Sequence, residues 1–131
     1  NMGLYSLTKH AVVTITESLH HDLSDLCKHV KCSVLCPAFV PTRIFESHRN
    51  KPKEFQDSRV KSKENITVEE KLEYAVKSGK ITAEQVADKL VEGLYKEDFY
   101  ILTHEKIKPA VKMRSEEILE NKKPTYSMQN R

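Results

Sequence analysis

Tyr5 and Lys9 stand four residues apart in the run Tyr5-Ser6-Leu7-Thr8-Lys9. On a helix, that spacing puts both side chains on one face with Cβ atoms about 6 Å apart. An ammonium at such a distance favours phenolate over phenol. A phenol placed in this way suits general acid/base work, giving a proton to a carbonyl oxygen or taking one from a hydroxyl. The spacing alone is a weak signal, because most such pairs are simply exposed on a helix.

The other chemically capable groups are poorer candidates. Cys27, His29, Cys32 and Cys36 match no zinc spacing. With three cysteines, an odd number, a disulfide framework is not expected, and Cys32 and Cys36 read as small apolar residues of a strand. His10, His20 and His21 read as solvated helix histidines, since no carboxylate completes a metal site with them. Ser18, His20 and Asp22 have the residue types of a hydrolytic triad, but crowding on one helix denies them the geometry. The basic stretch 49–63 contains Glu54 and Asp57, so it reads as a solvated segment rather than an anion-binding surface. No metal site is expected.

The elements that must carry these groups follow from periodicity. Ala11, Val12, Ile15, Leu19, Leu23, Leu26 and Val30 recur at three- and four-residue spacing and predict one helix over about 4–30. Residues 31–36 form a β-rich apolar run stopped by Pro37, which predicts a strand. A turn-like segment follows, Pro37-Ala38-Phe39-Val40-Pro41-Thr42. Residues 43–80 are polar with scattered apolar positions, the pattern of a lid, a binding loop or a disordered segment. Within them, Thr67 to Glu70 fits a capping box for a helix from about Val68 to Gly79. Thr82 to Gln85 fits a second box, opening a helix on Ala83, Val86, Ala87, Leu90, Val91 and Leu94. Residues 98–102 predict a second strand, and 108–120 a last helix with Pro109 in its first turn. The tail, 122–131, is expected to fray.

A strand, a crossover helix and a second strand make a parallel βαβ unit. Two short strands alone are marginal, and parallel strands belong to larger sheets. The expected fold class is therefore α/β, the carboxyl part of a larger parallel sheet, read as a single partial domain over 1–131. Its length of 131 residues fits one domain, and a 38% hydrophobic, 31% charged composition fits a globular one. With 22 basic and 19 acidic residues well mixed, a nucleic-acid surface is not expected. No apolar run approaches the roughly 18 residues of a membrane span. The opening NMGLYSLTKHAVV lacks the ordered regions of a secretory leader, so the expectation is a cytoplasmic protein. Three glycines are too few for a complete dinucleotide-binding fold of the usual kind.

The segment YSLTKHAVVTITESLHHDL, followed by VLCPAFVPT and later by TAEQVADKLVEGL and DFYILTH, resembles the short-chain dehydrogenase/reductase family. The resemblance spans about residues 1–115, and its specificity lies in the combination rather than in any one piece. It implies the carboxyl-terminal part of a Rossmann-like parallel sheet with flanking helices, the amino-terminal nucleotide-binding half being absent from these residues. It divides the chain into a catalytic helix, strand and cofactor turn over 1–42, a substrate lid over 43–80, and a last helix, strand and terminal helix over 81–121.

The resemblance also implies roles. Tyr5 would be the proton donor or acceptor and also one of the cofactor-binding residues, and Lys9 would hold the nicotinamide ribose and assist Tyr5. Ser6 and Thr8 would be spacers. Pro37 and Ala38 would pack near the nicotinamide, while the Val40 backbone and Thr42 would hold its carboxamide and nearby phosphate. Ala38 stands where the family usually has glycine, so an altered turn is expected. The cofactor would be NAD or NADP. The substrate would be a small carbonyl or alcohol, with Phe39, Phe45 and Phe55 suggesting an apolar one. A homo-oligomer through the Tyr5/Lys9 helix is implied as well. The family's glycine-rich phosphate turn, catalytic serine and asparagine find no counterpart here, so these residues alone are expected to be inactive. The alternative expectation is an inactive truncated relative that pairs through its long helix, using Val13, Thr14, Glu17, Leu19 and Leu26.

Overall fold

The computed structural model describes the backbone of residues 3–55 and 63–125, and the side chains of 3–54 and 66–125. The Phe55 side chain, the middle of the basic stretch and the end of the tail lie outside the described residues.

Helix α1 runs Gly3–Leu26, with no proline or interior glycine to break it. It stops four residues earlier than its apolar periodicity predicts. The Cys27 amide donates the last helical bond to Leu23, and the Val30 amide then bonds back to Cys27 at 2.9 Å. This tight turn ends the helix and sends the chain into strand β1, Val34–Cys36.

After the bend at 37–43 come two short 3-10 turns, Ile44–Asn50 and Lys53–Phe55. Helix α2, Lys63–Lys77, follows. It begins five residues before the expected start, so Thr67 and Glu70 lie inside it rather than at its cap. Lys63 to Ile66 hold no breaker, and the helix propagates back through them.

Helix α3 runs Ala83–Tyr95 and starts where its capping box predicts. The Gln85 amide donates to Thr82 Oγ1 at 3.2 Å, and the Thr82 amide donates to Gln85 Oε1 at 2.9 Å. Its far end closes through Glu97 in a left-handed conformation (φ 60°), with the Asp98 amide donating to the Gly93 carbonyl. Strand β2, Tyr100–Leu102, follows, then a 3-10 turn over Glu105–Ile107 and helix α4, Lys108–Leu119, with Pro109 near its start.

The two strands pair in parallel, Val34 with Tyr100, Leu35 with Ile101 and Cys36 with Leu102. This is the expected βαβ unit. Both strands are shorter than predicted, because ladder bonds need a partner at every rung. Cys32 accordingly lies outside β1. At the far end Pro37 has no amide hydrogen with which to continue the ladder.

The core is small and sits on the sheet. Among the described residues, Val34, Val76, Gly93, Ile101 and the polar Thr103 are buried. Gly93 lets α3 approach β2 closely, since a Cβ there would lie 2.8 Å from Ile101 Cδ1. On α1, the inner line is Val13, Thr16, Glu17 and Leu23, all half-buried, with half-buried Cys27 just past its end. The Tyr100 hydroxyl donates to Glu17 Oε1 at 2.5 Å, and the Cys32 thiol donates to the Thr16 carbonyl. The His20 ring meets Phe99 edge-on at 5.0 Å. Apart from Leu23, the apolar stripe that predicts the helix faces outward instead. Val12, Ile15, Leu19, Leu26 and Val30 are all exposed, joined by Leu4 and Leu7. The interface face expected on this helix is redrawn as well, because Val13 and Glu17 turn inward and only Thr14, Leu19 and Leu26 face out. Among the described residues no helix is long and apolar enough to cross a membrane.

Candidate active site

Tyr5 and Lys9 occupy the first turns of α1, where a run with no interior breaker holds them on one face. Lys9 Nζ lies over the Tyr5 ring, 5.4 Å from its centroid. That is a cation–π contact with the ring face. Around them, the Thr8 hydroxyl donates to the Tyr5 carbonyl at 2.7 Å, and the His10 ring contacts the Ser6 carbonyl at 3.0 Å. The Thr8 and His10 side chains are thus spent on the helix backbone. Among the described residues, the Tyr5 hydroxyl and the Lys9 ammonium have no hydrogen-bond or ion-pair partner.

Pro37, Ala38, Val40 and Thr42 follow β1 directly, at the carboxyl end of the parallel strands. In open α/β sheets that end forms the ligand crevice. Ala38 and Val40 are half-buried, while Pro37 and Thr42 are exposed. Only Glu97 and Asn121 among the described non-glycine residues have positive φ, so the bend is made without a left-handed residue. Ala38 therefore carries no φ penalty for replacing glycine. No hydrogen bond, ion pair or ring contact among the described residues joins the bend to Tyr5 or Lys9.

Three features of this end are not marked in the sequence. Gly79, just past α2, packs against the Phe39 and Pro41 backbone and ring. Lys77 Nζ lies over the Phe45 ring at 5.4 Å. The buried Thr103 hydroxyl contacts His104 Nδ1 at 2.7 Å, just beyond β2. Only the strand register, which sets Cys36 beside Leu102, places Thr103 and His104 near the bend.

Charges around the bend are locally organised. Glu46 receives Arg43 Nε at 2.7 Å and Arg49 at 3.0 Å. The Arg43 hydrogen bond, helped by Arg49, holds the Glu46 carboxyl below its ordinary range. Burial pushes the Cys36 thiol up. Elsewhere, the hydrogen bond to Glu17 raises the Tyr100 phenol. Among the described residues no three histidines, cysteines or carboxylates converge as a metal-binding group. Ser18 donates to the Thr14 carbonyl and His20 meets Phe99 edge-on, so the triad types are scattered.

No protein-family model matches the chain. It is 27% identical over 126 residues to a CLA biosynthesis dehydrogenase/reductase of Lactiplantibacillus plantarum, a match covering 94% of this chain and 44% of that protein. Its fold superposes on the crystal structure of a short-chain dehydrogenase/reductase from Burkholderia phymatum in complex with NAD, with a TM-score of 0.93 and 40% identity. That match covers 98% of this chain and 46% of the other. The chain thus spans less than half the length of either relative. In sequence and in fold, it is similar to the carboxyl-terminal portion of a short-chain dehydrogenase/reductase.

Proposed function

We propose that these residues serve an NAD(P)-dependent oxidoreductase that interconverts a carbonyl and an alcohol, with Tyr5 as general acid/base. The observation that carries this reading is the Tyr5/Lys9 pair itself, a phenol and an ammonium free of other polar partners among the described residues, in a chain whose fold matches an NAD-bound enzyme.

The residues present fit a nicotinamide nucleotide. The bend needs no strained backbone, its Thr42 hydroxyl has no hydrogen-bond partner among the described residues, and the Lys9 ammonium is held by a ring face alone. Lys9 would hold the ribose hydroxyls. Pro37 and Ala38 would pack against the ring, and the Val40 backbone with Thr42 would hold the carboxamide. A nicotinamide held there would supply the hydride to the substrate carbon in reduction or accept it in oxidation. Tyr5 gives its hydroxyl proton to the carbonyl oxygen during reduction and takes one from the alcohol during oxidation. The nearby Lys9 charge steadies the phenolate left behind. Residues 43–80 would close over a small carbonyl or alcohol substrate, with Phe39 and Phe45 giving it apolar walls.

The test is fluorescence titration of NADH and NADPH into the chain, alone and mixed with the amino-terminal portion of the Burkholderia phymatum enzyme. Saturable binding by the mixture, weakened by Lys9→Met, is expected. Absence of binding in both would sink the cofactor reading. A second reading, a module that pairs through α1, is favoured by the outward apolar stripe of that helix. Self-association without any cofactor response would select it.

A further inference from the structure

Gly79 lies between the end of α2 at Lys77 and the start of α3 at Ala83. A Cβ at this position would sit 2.5 Å from the Phe39 carbonyl oxygen, 2.8 Å from Pro41 Cδ and 3.0 Å from the Phe39 carbonyl carbon. Two of these three are backbone atoms, so no change of rotamer makes room. The φ of Gly79 is not positive. Glycine is needed here for space, not for an unusual dihedral. The last turn of α2 is fixed from behind as well: the Gly79 amide donates to the carbonyl of the buried Val76 at 3.1 Å. Lys77 adds a second contact, its Nζ over Phe45 and paired with Glu73 at 2.5 Å. The end of α2 therefore meets the chain twice, at Phe39–Pro41 and again at Phe45.

We propose that Gly79 is a positioning residue: its bare backbone seats the end of α2 against the Phe39–Pro41 bend, so that α2 sets the shape of the bend carrying Pro37, Ala38, Val40 and Thr42. The seat itself stands on geometry alone; its consequence for cofactor grip rests on the reading proposed above. Any movement of α2 is passed to the bend through a contact of backbone on backbone. A methyl at Gly79 forces the Phe39 oxygen to retreat by about half an ångström, because real Cβ atoms essentially never approach closer than 3.0 Å.

The test compares the 131-residue chain with its Gly79→Ala and Phe45→Leu variants by amide NMR and by trypsin cleavage after Arg43. The same chains are then titrated with NADH in the mixture described above. Expected for Gly79→Ala are displaced amide signals at Phe39, Val40 and Thr42 with β2 and α1 unmoved. Cleavage after Arg43 should be several-fold faster, and NADH affinity about tenfold weaker. Phe45→Leu loosens the same seat without a clash and should move the same amides less, which carries the test if Gly79→Ala does not fold. Unmoved bend amides in the folded variant overturn the seat. A moved bend with unchanged NADH affinity overturns its consequence. Failure of the unaltered mixture to bind NADH overturns the cofactor reading, while the bend signals still decide the seat.

Discussion

Lys9 sits over the face of the Tyr5 ring rather than against another acid, which leaves its charge free to act on whatever approaches the phenol. The two residues therefore have separable duties. Tyr5→Phe keeps the ring under the ammonium and deletes only the hydroxyl, with its exchangeable proton. In a mixture that catalyses reduction, kcat should fall by about 10²–10⁴ with NADH affinity unchanged, as removal of a general acid predicts. Equal losses in affinity and in kcat would deny Tyr5 that duty. Glu46 gives a second, independent handle. Its carboxyl is depressed in the folded chain by Arg43 and Arg49, so the clasp is intact above the ordinary carboxylate range and is lost as pH falls through the depressed value. Carboxyl-carbon NMR of Glu46 should show this lowered midpoint. Arg43→Gln should raise it toward an ordinary glutamate, and no change on that substitution would refute the assignment. The Tyr5/Lys9 pair is legible in sequence because four residues on one helix are a local fact. Gly79 and Thr103 are not, since each acquires its meaning only when a distant segment packs against it.

Among the elements, α3 shows how far local rules reach. Its box, its apolar set and its end all follow from adjacent residues, and both cap bonds form. Thr82→Ala should cost about 1 kcal/mol of stability, read as a lower urea midpoint at unchanged slope. A shift in slope instead would mean that the cap governs compactness and not just the helix end. The same motif reading fails for α2, where Thr67 to Glu70 carries the right residue types in the interior of a longer helix. A capping box marks a start only where the preceding residues stop propagation, as the turn at 78–82 does before α3. Strand lengths fail for a different reason. Residues 31–33 and 98–99 fall within the predicted strands but outside the ladder, because three rungs of parallel pairing are all that the two segments share. The closeness of α3 to β2 was equally hidden, because Gly93 reads as a poor helix residue until Ile101 is seen to fill the space above it.

At the scale of the whole molecule, α1 is the unusual part. It buries no residue fully, and it turns a half-polar line of Val13, Thr16, Glu17 and Leu23 toward the sheet. Its most apolar line, including Leu4, Leu7, Ile15 and Leu26 at 83%, 66%, 67% and 85% exposure, faces solvent. Periodicity finds such a stripe but not what it covers, which is why the sequence predicts the helix and misassigns its faces. An apolar line of this length is costly to leave in water at roughly 25 cal/mol per Å². Pairing two copies along α1 would cover it and place the two Tyr5/Lys9 pairs on one common element. Sedimentation velocity across a concentration series should then show self-association of the chain. Ile15→Glu combined with Leu26→Glu places charges in the middle and at the end of the stripe without touching the inner line. That variant should stay monomeric with unchanged helical circular dichroism. Association that persists in the variant would move the contact to another face, such as the exposed Val91, Leu94 and Tyr95 of α3. A chain that is monomeric at every concentration would remove the pairing altogether and leave the stripe to a different protein segment.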